Sequence, residues 1–155
     1  MTVIGGGWER AIRGLVIPDV HYPVHDWRAV ELMLKAAQEA HKRTPLDFVI
    51  QLGDLLDLNA LGRWTANAPR AVEGNRIIGD LQLAGADGFL GRLRKMFPGT
   101  KLFLLEGNHE ERIERMLDSQ PYLEGLIDLG KLLELDSINC PLIRCDSQKS
   151  ALRFT

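Results

Sequence analysis

Residues 48–57 of this chain read FVIQLGDLLD, and this stretch decides the fold. Its first five residues are almost entirely apolar and predict a buried β-strand, after which Gly53 allows the backbone to turn sharply. The carboxylates of Asp54 and Asp57 follow that turn directly. Open α/β sheets bind their ligands at the carboxyl ends of the strands, so the stretch predicts an acidic site at a sheet edge.

Two further apolar runs are followed by polar motifs in the same way. The run LVI at 15–17 precedes DVH at 19–21, and the run LFLL at 102–105 precedes GNHE at 107–110. If all three runs are parallel strands, their motifs meet at one edge of the sheet. The sequence therefore predicts that carboxylate and amide oxygens converge there with imidazole nitrogens.

The rest of the chain alternates between strand and helix patterns, which predicts an α/β fold with a mostly parallel βαβαβα sheet and flanking helices. Asp26 is a plausible N-cap of the first helix. Leucines at helical spacing also predict helix in residues 121–135, and the tail from 136 is either one strand or an unrelated terminus. The predicted strands are 14–18, 47–52 and 101–105, and the predicted helices are 26–41, one within 75–96, and one from about 110.

The composition is that of an ordinary globular protein, with 155 residues of which 45% are apolar and 26% charged. The net charge of −2 gives no basic field that would collect nucleic acid, although local patches remain open. Cys140 and Cys145 have no metal-site spacing and are predicted to be free thiols in a reducing compartment. No apolar run approaches the roughly 20 residues that span a bilayer, so we predict a cytoplasmic protein without membrane contact.

The three motifs Asp-x-His, Gly-Asp-x-x-Asp and Gly-Asn-His-Glu, in this order, resemble those of the calcineurin-like metallophosphoesterases. The resemblance covers residues from about 14 to 135 and implies part of the family's α/β sandwich, in which two sheets pack face to face. Family members carry a lone His and a Gly-His-x-His motif further along, whereas this sequence has no histidine after His109. We therefore expect one domain over residues 1–155 that is incomplete at its carboxyl end.

The resemblance also implies a site with two divalent metal ions. Asp54 would bridge the ions, Asp19 and His21 would complete the shell of the first, and Asn108 would bind the second through its amide oxygen. His109 resembles the catalytic histidine on the substrate side, near the leaving-group oxygen. Oxygen and imidazole donors suit several metals, of which we prefer Mn²⁺, with Fe, Zn²⁺ and Mg²⁺ as alternatives.

Several other residues near this edge have more than one interpretation. Asp57 is expected to support the ligands rather than bind metal, because a third carboxylate would overcharge the site, and Glu110, which opens the following helix, is also expected to be a supporting residue. His25 either contributes to the edge or only packs there. Arg63 is a candidate for binding the substrate phosphate from a long loop at 58–74, together with Trp64 and Arg70, although a surface arginine and a buried tryptophan are commoner.

These observations indicate a metal-dependent phosphoesterase that hydrolyses a phosphomonoester or phosphodiester with metal-activated hydroxide. One alternative is a truncated family remnant, weakly active or inactive, that acts as a binding module; the missing histidines favour it. Another is a metal-dependent nuclease for DNA or RNA, against which the net charge argues mildly. A sheet without its partner layer would also leave an apolar face, for which we expect a homodimer or a separately encoded carboxyl-terminal half.

Overall fold

The computed structural model describes residues 11–62 and 77–144 of the chain. Four parallel strands form one sheet whose spatial order, β1-β2-β3-β4, follows the chain. The three strands predicted from the sequence are present, and the tail contributes β4, which pairs with the end of β3. The strands are β1 (Gly14–Ile17), β2 (Phe48–Leu52), β3 (Lys101–Leu105) and β4 (Leu142–Ile143).

Five α-helices and three single turns of 3₁₀-helix connect and cover the strands of the described chain. The first helix begins after the predicted N-cap, because the Asp26 carboxylate accepts the N–H groups of Arg28 and Ala29 at 2.9 and 3.2 Å. None of the described helices has the length and apolar character needed to cross a membrane. The α-helices are α1 (Trp27–Arg43), α2 (Ile77–Ala84), α3 (Phe89–Met96), α4 (Glu111–Ser119) and α5 (Leu129–Leu132), and the 3₁₀ turns are Asn59–Leu61, Pro121–Leu123 and Leu135–Ile138.

The predicted helical stretches differ from the structure in two places. The helix expected within residues 75–96 is broken into α2 and α3, because the chain folds tightly on itself at Gly85 and Gly88; a Cβ at Gly88 would lie only 1.9 Å from the Leu83 carbonyl oxygen. The helix expected over residues 121–135 is also wrong. Gly125 takes a left-handed φ of 82° there, and Asp128 then caps the short α5.

The helices cover one face of the sheet, as right-handed crossovers between consecutive parallel strands require. The main core combines residues of α1 to α5 with alternate strand residues on that face: Leu15, Ile17, Val49, Leu102 and Leu104. On the opposite face lie Val16, Ile50, Leu52 and Phe103, which do not belong to that core cluster in the described chain. Val16 is 48% exposed and Leu52 46%, so this second apolar face is only partly covered.

Candidate metal centre

The loops after β1 and β2 run side by side beyond the sheet. The His21 N–H donates to the Asp54 carbonyl at 2.9 Å, and the Tyr22 N–H donates to the Leu55 carbonyl at 2.7 Å. The Asp57 N–H returns to the Tyr22 carbonyl at 2.8 Å. These three bonds extend the parallel pairing of β1 and β2 past their ends, and they bring His21 next to Asp54.

The turns after β2 and β3 are in direct contact at two glycines. Gly53 has a left-handed φ of 82°, and a Cβ added to it would lie 2.8 Å from the Cα of Gly107. A Cβ on Gly107 would in turn lie 2.3 Å from the Asp54 nitrogen. The sequence predicts both glycines for sharp turns; only Gly53 has the left-handed φ, whereas Gly107 is needed for close approach of the two backbones.

The buried carboxylate of Glu110 joins the same two turns. Its side chain has no exposed surface, and Oε2 accepts the N–H groups of Asp54 at 3.0 Å and of Gly107 at 2.9 Å. Oε1 accepts the N–H of Leu56 at 2.9 Å. An ionised carboxylate is an acceptor only, so three backbone donors match its chemistry and hold the Asp54 turn against the Gly107 turn.

Three side chains from the three loops meet at this edge. The donor atoms of His21, Asp54 and His109 all lie within 4.8 Å of one another. The backbones of His21 and Asp54 are left-handed, with φ of 55° and 49°, which is uncommon for residues other than glycine and is concentrated at functional sites. Two imidazoles and a carboxylate from distant parts of the chain thus form one cluster.

The chemistry of this cluster fits a divalent metal ion. Imidazole nitrogen and carboxylate oxygen are ordinary ligands of Mn²⁺, Fe and Zn²⁺. The Nδ1 atom of His21 is buried and has no hydrogen-bond partner within the described chain, an arrangement that costs free energy unless a ligand uses the atom. Metal–ligand bonds of about 2.0–2.2 Å allow two donors of one ion to be about 4 Å apart, so small side-chain adjustments would close the observed spacing.

The Asp57 carboxylate lies between the two imidazoles. Its Oδ1 is 3.7 Å from Nδ1 of His21 and 3.8 Å from Nδ1 of His109. The two rings themselves are in edge contact, with centroids 4.6 Å apart. A carboxylate at this position favours orientations of both rings in which Nδ1 faces it, and it offsets positive charge on either ring.

His109 is held by hydrogen bonds at both ring nitrogens. Nε2 lies 2.8 Å from Nη2 of Arg112, and Nδ1 lies 2.6 Å from the Asp57 carbonyl oxygen. A guanidinium can only donate, so Nε2 must accept and the ring proton lies on Nδ1, which donates to the carbonyl. Arg112 was not singled out by the sequence analysis, although its position three residues after His109 on a helix start is a signal that could have found it.

The remaining predicted residues lie around this cluster or outside the described chain. Asp19 is exposed with a left-handed φ of 47°, and its carboxylate is not part of the close donor group found among the described residues. Asn108 is exposed in the turn that leads to His109. His25 packs its ring on Tyr22, with centroids 4.0 Å apart. Arg63, Trp64 and Arg70 lie outside the described residues.

Asp80 is a second feature that the sequence analysis missed. It is buried on α2, where burial raises the pKa of its carboxyl and the negative charge of Asp57 raises it further. The signal was a lone acidic residue in the apolar segment IIGDLQLA at 77–84.

A parallel α/β sheet that gathers two histidines and an aspartate at its carboxyl edge defines an α/β protein with a potential metal site. The model of the family described as calcineurin-like phosphoesterase matches residues 12–145, which include all four strands and the three motifs. The chain belongs to the calcineurin-like phosphoesterase family. Comparison with curated proteins and with solved structures gave no significant match.

The family match confirms the resemblance on which the sequence analysis relied. The all-parallel sheet with flanking helices confirms the expected fold class, and the His-Asp-His cluster is consistent with the expected metal dependence.

Proposed function

We propose that this protein is a metal-dependent phosphoesterase that hydrolyses a phosphomonoester or a phosphodiester. The observation that carries the proposal is the cluster of His21, Asp54 and His109, whose donor atoms lie within 4.8 Å of one another although they come from three separate loops. A carboxylate and two imidazoles brought together from distant positions are expected of a ligand site and are not needed for packing.

Within this proposal each loop contributes ligands to a pair of divalent ions. Asp19, His21, Asp54 and Asn108 would hold the ions, and Asp54 would be the carboxylate that they share. When bound, the ions supply a Lewis acid for the phosphoryl oxygens and lower the pKa of water, so that hydroxide is available near neutral pH. Mn²⁺ is our preferred metal, and Fe, Zn²⁺ and Mg²⁺ suit the same donors.

Glu110 and Asp57 act through the residues that they hold. The three N–H groups bound by Glu110 fix the backbone on both sides of Asp54, which limits how far the carboxylate can move. Asp57 faces Nδ1 of both imidazoles, at 3.7 and 3.8 Å, and so sets the orientation of the rings. We propose both residues as supporting groups.

His109 is proposed as the catalytic residue on the substrate side. Its Nδ1 donates to the Asp57 carbonyl and its Nε2 accepts from Nη2 of Arg112, so both ring nitrogens are held in place beside the cluster. Once solvent protonates Nε2, this atom no longer accepts from Arg112 and can donate its proton to the leaving-group oxygen, while the nearby Asp57 carboxylate stabilises the positively charged ring.

The function is tested by metal content and hydrolysis in the same samples. The purified chain is loaded with Mn²⁺, and turnover is measured on an aryl phosphomonoester, an aryl phosphodiester and a DNA strand. We expect bound metal with turnover on at least one aryl ester, and the loss of both in Asp54→Asn. His41→Gln serves as the control, because His41 is not part of the cluster: it accepts the Leu46 N–H at 3.0 Å between α1 and β2 and packs against Phe97.

The other outcomes identify the alternative functions. Bound metal with no turnover on any substrate would overturn the enzyme proposal and favour the binding module. Turnover on the DNA strand alone would favour the nuclease. Loading with Zn²⁺, Fe²⁺ and Mg²⁺ in parallel shows which metal supports the reaction best.

We also propose that a second copy of the chain covers the open face of the sheet, with a separately encoded carboxyl-terminal half as the alternative. Support comes from Val16 and Leu52, which are 48% and 46% exposed on one apolar face with Ile50 and Phe103. Light scattering should give the mass of a dimer, and Val16→Lys should shift it toward the monomer. A monomeric wild-type chain that binds no apolar dye would contradict both forms of this proposal.

A further inference from the structure

We propose that Arg112 is the phosphate-binding residue of this site and that it favours phosphomonoesters over phosphodiesters. This inference rests on the proposed function, because it names the group that the metal site would act on. Arg112 lies in the first turn of α4, directly after the motif that contains His109. Its guanidinium reaches back over the cluster rather than out to solvent.

One terminal nitrogen of the guanidinium is held by backbone carbonyls, and the other contacts the cluster of His21, Asp54 and His109. Nη1 donates to the carbonyl of Asp57 at 2.8 Å and approaches the carbonyl of Leu58 at 3.4 Å. Nη2 donates to Nε2 of His109 at 2.8 Å. Nη2 carries two N–H groups, and His109 uses one of them, so the second can be donated to a phosphate oxygen beside the ring.

Charge supports the same assignment. The carboxylates of Asp54, Asp57 and Glu110 surround this edge and would repel an anionic substrate. Among the described residues, Arg112 is the arginine or lysine that contacts a member of the His21, Asp54 and His109 cluster. A guanidinium stays protonated at any ordinary pH and binds phosphate oxygens with strong, oriented hydrogen bonds.

The preference for monoesters follows from the charge and the oxygens of the two ester types. A phosphomonoester carries about −1.5 to −2 charges at pH 7 and has three non-bridging oxygens. A diester carries one negative charge and has two such oxygens. A fixed cation that donates to one oxygen therefore contributes more to binding of the monoester, particularly where metal ions bind other oxygens.

The test measures binding of inorganic phosphate to the Mn²⁺-loaded chain by calorimetry, with metal content and thermal unfolding recorded on the same samples. We expect Arg112→Gln to bind phosphate about 10- to 100-fold more weakly, as the loss of a charged hydrogen bond implies. Arg112→Lys keeps the charge without the planar fork and should recover part of the affinity. Arg115→Gln is the matched control, because Arg115 lies on the same helix, is exposed and pairs with Glu111.

Hydrolysis gives a second measurement, which separates phosphate binding by Arg112 from a purely structural role of this residue. In Arg112→Gln, KM for the aryl phosphomonoester should rise by about the same factor as the phosphate dissociation constant. The ratio of kcat/KM for monoester over diester should fall, whereas a general loosening of the site would lower both values alike.

The outcomes separate this inference from the proposed function. Phosphate affinity that depends on Arg112 in a chain without turnover would support the inference and contradict the proposed function. Unchanged phosphate affinity in Arg112→Gln, or no phosphate binding by the wild type, would overturn the inference even if hydrolysis is intact. If Arg112→Lys and Arg112→Gln lose metal and phosphate to the same extent, Arg112 has only a structural role, and the inference is overturned as well.

Discussion

The paired turns after β2 and β3, residues 53–57 and 107–110, differ from the loop after β1, residues 18–25, in how their polar atoms are satisfied. In the paired turns the buried Glu110 carboxylate uses both oxygens on three backbone N–H groups. In the β1 loop the buried Nδ1 atoms of His21 and His25 have no hydrogen-bond partner within the described chain. The Glu110 carboxylate that joins the paired turns is therefore satisfied without a ligand, whereas the β1 loop leaves two buried ring nitrogens without a partner.

This difference distinguishes residues that hold the turns together from residues that would bind a ligand. A buried polar group that is fully hydrogen-bonded contributes to stability, and its removal leaves other buried groups unsatisfied. A buried nitrogen without a partner destabilises the free protein and gains from a ligand that binds it. Substitutions of Glu110 and of the two turn glycines should thus lower stability, and substitutions of His21 should mainly lower affinity for metal.

The largest loss of stability is expected for Glu110→Gln. The amide keeps one acceptor oxygen, and its NH₂ group faces N–H donors, so at least one buried N–H loses its partner. We expect a decrease of about 2–4 kcal/mol in the free energy of unfolding, measured by urea denaturation without metal. Glu111→Gln is the matched control, because Glu111 is the exposed neighbour and should change stability by less than about 0.5 kcal/mol. A Glu110→Gln variant as stable as that control would show that the two turns do not depend on the carboxylate.

A somewhat smaller loss is expected for Gly53→Ala, and Gly99→Ala separates its two causes. Both glycines have a left-handed φ, 82° and 77°, which costs alanine about 1–2 kcal/mol. A Cβ at Gly99 meets nothing within 4 Å, whereas at Gly53 it would lie 2.8 Å from the Cα of Gly107. The free energy of unfolding should therefore fall further for Gly53→Ala than for Gly99→Ala, by about 1 kcal/mol or more. Equal losses would mean that the two turns are not in tight contact.

His21→Gln should have little effect on the stability of the metal-free protein. The unpartnered Nδ1 is removed, which offsets part of the packing lost with the ring, so we expect a change within about 1 kcal/mol. The measurement is thermal unfolding in the presence of a chelator, beside the same scan with Mn²⁺. Wild type should gain stability from the metal, and His21→Gln should gain less. A variant that unfolds without metal would show that His21 belongs to the scaffold.

The smallest effect is expected at Asp80, where it appears as a dependence on pH. The pKa of this carboxyl is raised by burial and by Asp57, so the folded state binds more protons than the unfolded state between the ordinary pKa and the raised one. Asp80 therefore contributes stability at low pH that is lost as the pH rises through its folded-state pKa. Asp80→Asn should flatten this part of the stability profile and be at least as stable as wild type near pH 7. A steeper fall with pH in the variant would contradict the raised pKa.

The strands and the positions of the motifs were predictable because their signals are local. An apolar run followed by Gly53 and Asp54 carries both the strand and its turn within a few residues. The break between α2 and α3 was missed, because apolar spacing continues across Gly85 and Gly88 and the tight turn is visible only in three dimensions. Element type was thus predicted better than element length.

At the site, the sequence predicted that His21, Asp54 and His109 lie at one edge of the sheet, but not how they are held. Glu110 bonds to backbone groups 54 and 56 residues away, and no sequence pattern specifies such a contact. Arg112 and Asp80 were overlooked because each looks like an ordinary helix residue until the fold brings it to the cluster. Asp19 and Asn108 are expected ligands on motif grounds, and their part in metal binding stays a prediction.

The most direct test of the metal centre is calorimetric titration of Mn²⁺ into the wild type and into His21→Gln, Asp54→Asn and Asn108→Ala, with His41→Gln as control. We expect saturable binding to the wild type and to the control, and at least about a 10-fold loss of affinity in each of the three ligand variants. The opposite result, in which Mn²⁺ binds equally well to all five proteins or not at all to the wild type, would contradict a metal site built from these three loops.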